Sequence, residues 1–180
     1  AVNNMTFYDQ TAINRSNLTL TDAYIGQWVD PDVGFFRDDY VGCDTTLGLG
    51  ICYNGDSDDE GATGYGQNPP AVGVDFFQGP LADSDDGIDN DKDGVVDEEG
   101  ETIIMPKFVY YNNDFSLTGN PTVATHYYGY LTGFWKDGTG IVDNYRDGEG
   151  TGNGYGPADP GDPSNFMFSG DACSGSGTSD

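Results

Sequence analysis

Positive charge is nearly missing from this chain. Its 180 residues carry 6 Lys and Arg and 1 His against 31 Asp and Glu, a formal net charge of −25. Cationic side chains supply most of the affinity for nucleic acid, so that class of partner is excluded. An anionic membrane surface is equally unsuitable. No run of 18 apolar residues occurs, and no membrane-spanning helix is expected. Cysteine is scarce too, with three residues at 43, 52 and 173, an odd number that leaves one thiol unpaired or paired elsewhere. Cys43 and Cys52 flank a Gly-rich segment short enough to close into a small ring, and they are the expected disulfide.

The usual signatures of catalysis are also missing. There is no Gly-x-Ser-x-Gly elbow and no His-Glu-x-x-His, and the Gly-rich "DGEGTGNGYG" lacks the Lys-Ser/Thr of a phosphate loop. The lone histidine, His126, sits beside two tyrosines, where packing or hydrogen bonding explains it better than base catalysis. Carboxylate pairs for glycoside hydrolysis stay open, because acids are everywhere.

Aromatics, by contrast, are plentiful: 12 Tyr, 10 Phe and 2 Trp. A disordered acidic chain lacks them, so a folded core is expected. The length suits one domain spanning 1–180. "MTFYDQTAI" and "LTDAYIGQWV", separated by "NRSN", predict an antiparallel hairpin. An acidic loop follows, then strands at "LGLGICYN" and "AVGVDFFQ" with a loop between them. "TIIMPKFVYYNN" is strongly β-prone, with Pro106 at an edge or bulge, and "NFMF" adds a late strand. One helix is expected over about 121–134, with Asn120 as N-cap and Pro121 at the first position. Val123, Tyr127, Tyr130, Leu131 and Phe134 would share one face. The fold class is therefore mostly β: an antiparallel, sandwich-like domain with one α-helix and long acidic calcium-binding loops.

The acids are clumped. In residues 83–101, "DSDDGIDNDKDGVVDEEGE", ten of nineteen side chains are carboxylates and Lys92 is the only cation. Asp89, Asp91 and Asp93 alternate, Gly94 follows, and Asp97 comes four after Asp93. An EF-hand-type loop takes ligands from positions 1, 3, 5, 7 and 9, with glycine at 6. Counted from Asp89, these are Asp89, Asp91, Asp93, the Val95 carbonyl and Asp97. Position 12 is Gly100, so the shell needs another acid: Glu98, Glu99 or Glu101, or Asp85 or Asp86 from upstream. Glu98 is carried in the ligand set. All donors are hard oxygens, which selects Ca²⁺ over zinc, and no helix-forming runs flank the loop.

A second cluster, with Asp30, Asp32, Asp38 and Asp39 as its candidate ligands, lies in "DPDVGFFRDDYVGCD". A third is "NGDSDDE", from Asn54 to Glu60. Each is a candidate for a further ion, and the two would share one if the strands bring them together.

Several phrases in order, "NNMTFYDQTAINRS", "YIGQWVDPDVG", "DDYVGCDTTLGLGICYNGD", "GYGQNPPAVGVDFFQGPL", "DGIDNDKDGVVDEEGE", "KFVYYNND" and "FMFSGD", resemble the central region of large Bacteroidetes secreted or surface proteins exported by the type IX secretion system. The resemblance covers nearly the whole chain. It implies export, an extracellular or cell-surface location, calcium at the loop beginning with Asp89, and a parent chain longer than this segment. It implies no activity. Asn17-Leu-Thr19 fits an N-glycosylation sequon, and Asp44-Thr45-Thr46 resembles the Bacteroidetes O-glycosylation pattern. Three functions follow as expectations: a calcium-stabilised structural or adhesion domain, a polysaccharide-binding module built on exposed aromatics, and a carboxylate-dependent hydrolase. Partners would be the rest of the parent chain, cell-surface proteins or polysaccharide.

Overall fold

A computed structural model describes residues 3–143, 162–169 and 178–179. These are mostly strands in antiparallel sheets, with one α-helix among the described residues. The main sheet contains β1 (Asp39–Asp44), β2 (Leu49–Asn54), β5 (Ala71–Asp75) and β8 (Thr178–Ser179), in the order β5-β2-β1-β8. Two small hairpins accompany it: β3 (Asp58–Asp59) with β4 (Gly66–Gln67), and β6 (Val142–Asp143) with β7 (Asp162–Pro163). Cys173 lies outside the described residues.

The hairpin of β1 and β2 is closed by Asp44, whose Oδ1 accepts the N–H groups of Thr46 and Leu47. This is an Asx turn, the role that short acidic side chains fill at chain reversals. The sequence predicts loop over residues 39–44, yet a strand forms there. Its alternate residues Asp39, Val41 and Cys43 face the same side, and Asp39 and Cys43 are fully buried. Acids and glycine masked that alternation.

On this face Phe108 lies over Gly50, where an added Cβ would stand 3.0 Å from the ring. The turn at 166–169 closes beside it, with Cys43 N–H donating to the Phe168 carbonyl at 3.2 Å. The apolar core continues from there through Tyr130, Trp135, Ile141, Met167 and Phe168, flanked by residues 108–111. Tyr130 meets Trp135 edge-on at 5.2 Å, the arrangement that aromatic quadrupoles favour.

Three expectations are corrected. Residues 5–29 form no hairpin: they run extended and exposed, and "NRSN" keeps its turn chemistry local, with Asn14 Oδ1 accepting Ser16 N–H and Asn14 Nδ2 donating to Leu18 O. β-propensity reports fit to a half-buried pleated surface, and no such surface faces this segment. It docks on the helix instead, through Tyr24 against Tyr128 and Gly26 beneath Leu131. The β-prone stretch at 102–113 makes only isolated bridges, at Thr102, Phe108 and Asn112. Its N–H groups reach separate loops, including Ile103 to Pro80 O and Phe108 to Asn165 O.

The expected ring of Cys43 and Cys52 is not formed either. Cys43 is registered with Gly50 and Cys52 with Val41, so the two are diagonal neighbours. Diagonal pairs stand about 7–8 Å apart, beyond the usual Cα span of a disulfide, about 4.4–6.8 Å. Their thiols donate elsewhere, Cys43 to Met167 O and Cys52 to Pro31 O.

The helix, α1 (Ala124–Thr132), falls inside its predicted span but starts later. Val123 holds the cap position without a side-chain bond. Asn120 is engaged elsewhere, with its amide donating to Asn113 Oδ1. His126 Nδ1 accepts the Thr122 N–H at 3.3 Å and so serves the helix start. Of the predicted apolar face only Tyr130 is buried; Val123, Tyr127 and Phe134 are exposed.

Burial first, then Tyr111 and Asp114, push the Tyr130 phenol up to about 12. Its hydroxyl donates to Gly119 O, a bond that needs the protonated form. A group raised in the folded state stabilises fully below its unfolded value, near 10, and loses that contribution as pH rises to its folded value. Melting temperature should therefore fall between about pH 10 and 12, and Tyr130→Phe should flatten this part of the profile. An unchanged alkaline profile in the variant would refute the assignment.

Candidate metal centre

The 83–101 loop is built on a closed neck. Leu81 and Thr102 form an antiparallel bridge, and Ala82 N–H donates to Glu101 O at 2.9 Å. Further in, Ile104 N–H donates to Asn90 O at 3.2 Å, fastening the loop to the segment that leads into the core. Lys92 points away from the carboxylates. Its ammonium donates to Thr45 O at 2.9 Å and lies 5.0 Å from the centre of the Phe166 ring. The one cation of the stretch thus pins it to the β1–β2 turn.

Inside the neck, side-chain oxygens replace a regular ladder. Asp89 Oδ2 accepts Gly94 N–H at 2.9 Å, Asp91 Oδ1 accepts Asp93 N–H, and Asp93 Oδ1 accepts Val95 N–H. Winding the chain this tightly requires left-handed residues, and Lys92, Gly94 and Asp97 all have positive φ. Gly94, at φ 99°, has nothing within 4 Å of an added Cβ. Its glycine serves backbone freedom, and steric room is not the issue.

Two sets of carboxylate oxygens converge, each with its oxygens within 4.8 Å of one another: Asp89 with Asp91 and Glu101, and Asp91 with Asp93 and Glu98. Asp91 belongs to both. Glu101 is 4% exposed. Its Oε1 takes the Asn90 N–H, while its Oε2 is buried without a hydrogen-bond partner. Asp89 Oδ1 and Glu98 Oε2 are likewise buried and unpartnered. The Glu98 backbone lowers that residue's pKa, but burial and the Glu101, Asp93 and Asp91 carboxylates outweigh it and hold the group above its usual value.

Of the predicted ligands, Asp89, Asp91, Asp93 and Glu98 are thus brought together. Asp97 belongs to neither set, its Oδ1 accepting Gly87 N–H at 3.0 Å; the ligand expected from Val95 is its backbone carbonyl, and its side chain is exposed. Glu101, one of several acids open from sequence, emerges as the buried one. Its signal was its place immediately before the apolar "TIIM", at position 13 counted from Asp89.

No three acids of the second predicted cluster converge as those of the 83–101 loop do, among the described residues. Asp30 and Asp32 are exposed, and Asp39 is buried with Oδ2 accepting Val33 N–H at 2.8 Å. Asp38 turns toward Glu60 of the third cluster. No helix among the described residues is long and apolar enough to cross a membrane. The chain matches no protein-family model, no curated protein and no solved structure.

Because Lys92 ties the loop tip to the β1–β2 turn, Lys92→Met should raise amide exchange across 87–97 and lower stability by about 1 kcal/mol. Exchange at parent rates in that segment would contradict this anchoring role.

Proposed function

We propose that this chain is a calcium-stabilised structural or adhesion domain of a secreted or cell-surface protein. The observation that carries the reading is Glu101: a nine-tenths-buried carboxylate with one oxygen fixed by a backbone N–H and the other unpartnered beside Asp89 and Asp91. A buried acceptor without a donor is costly, and a hard divalent cation at that point would satisfy all three side chains. Carboxylate oxygens in this number fit Ca²⁺, which takes 6–8 oxygen ligands. Asp89, Asp91 and Glu101 would hold the ion, with Asp93 and Glu98 adjacent.

Such an ion would couple binding to folding, because the empty cage repels itself. The extracellular setting rests on the family resemblance, and calcium-dependent stiffening suits a domain that carries load between other parts of a longer chain. The polysaccharide-binding reading has one observation of its own: Trp28 and Tyr127 are exposed beside Tyr111.

Calorimetric titration of the chelator-stripped chain should show calcium binding with a rise in melting temperature. Glu101→Gln should weaken that event at least about tenfold, whereas Glu99→Gln, at an exposed neighbour, should leave it intact. Parent-like calcium binding by Glu101→Gln would overturn the assignment.

A further inference from the structure

The surface carries an open sheet edge. β5 ends the order β5-β2-β1-β8, and among the described residues nothing pairs along its outer side. Ala71, Val72 and Gly73 of this strand are exposed. An open edge presents a row of free N–H and C=O groups, and sheets commonly guard it with lysine, an inward charge or a bulge. β5 has no lysine, and its single charge, Asp75, stands at its end.

The same chain carries a strand without a sheet. Residues 5–13, "MTFYDQTAI", are extended and exposed, and among the described residues no backbone–backbone hydrogen bond involves them. Met5, Phe7, Tyr8 and Ile13 all remain open to solvent, although aromatic and β-branched side chains gain most on a half-buried pleated surface. Within its own chain this segment passes one end of β5, where the Phe7 ring stands 5.7 Å from that of Phe77, two residues beyond the strand. It does not pair along the edge.

Charge selects a second copy as the partner. Asp9 is the one charged residue of 5–13 and Asp75 the one charged residue of 61–82, so 29 of the 31 acids lie elsewhere. Copies of a chain at −25 repel one another through their acidic loops, and these two tracts are where they approach at least cost. A basic partner would be drawn to the acidic loops instead. We propose that residues 5–13 of one copy add as a strand to the β5 edge of another, joining copies by β-augmentation.

Light scattering on the full chain, carried to millimolar concentration, tests this. The parent should associate as concentration rises, with amide exchange across 5–13 slowing in step. Gln10→Pro removes a donor from the middle of the added strand, and Val72→Lys guards the edge. Each variant alone should stay a single chain at the parent melting temperature. Mixed, they should pair one to one, because Val72→Lys still donates a strand and Gln10→Pro still accepts one. Should Val72→Lys not fold, Ala71→Lys, at the exposed start of β5, takes its place. A parent that stays a single chain would overturn the proposal, as would variants that associate like the parent or a mixture that fails to pair. Slow exchange of 5–13 in single chains would assign the strand to its own sheet and overturn it equally.

Discussion

Repulsion among carboxylates that the fold forces together is the constraint on which this structure turns. Asp89, Asp91 and Glu101 bring oxygens within 4.8 Å of one another. At an effective dielectric of about 20, two unit charges at that spacing oppose each other by about 3 kcal/mol. The total stability of a domain is only about 5–15 kcal/mol. A chain with net charge −25 has few cations of its own to offset such a cost, and Lys92, the one within reach by sequence, is bonded to Thr45 O. On the proposed reading, an external divalent ion at Asp89, Asp91 and Glu101 would offset that repulsion.

The surrounding architecture holds that conflict in place. The Leu81–Thr102 bridge and the Ala82 bond to Glu101 O close the neck, and the Asn90 N–H holds the Glu101 carboxylate inside it. Thr102 onward leads to Phe108, which packs over Gly50 of the main sheet and bonds through its N–H to Asn165 O. Ordering the loop therefore bears directly on the segment that flanks the aromatic core. This is a route by which a bound ion would stiffen more than its own loop.

Much of the loop was legible because its requirements are local. Alternating aspartates followed by glycine dictate side-chain-to-backbone bonds at fixed offsets, and the structure places those bonds at Asp89, Asp91 and Asp93. The helix body was legible for the same reason. What sequence left open depends on tertiary contacts. Which glutamate becomes buried is decided by the neck, and whether residues 5–29 pair as strands is decided by the presence of a facing sheet. β1 was hidden because Asp39 is an acid on a buried face, made tolerable by the Val33 N–H 2.8 Å away.

The most direct test of the account is a crystal structure grown in calcium, with anomalous difference density measured at a long wavelength. The account predicts a peak about 2.3–2.6 Å from oxygens of Asp89, Asp91 and Glu101. A well-ordered loop with Glu101 Oε2 bonded to water, and no such peak, would contradict it.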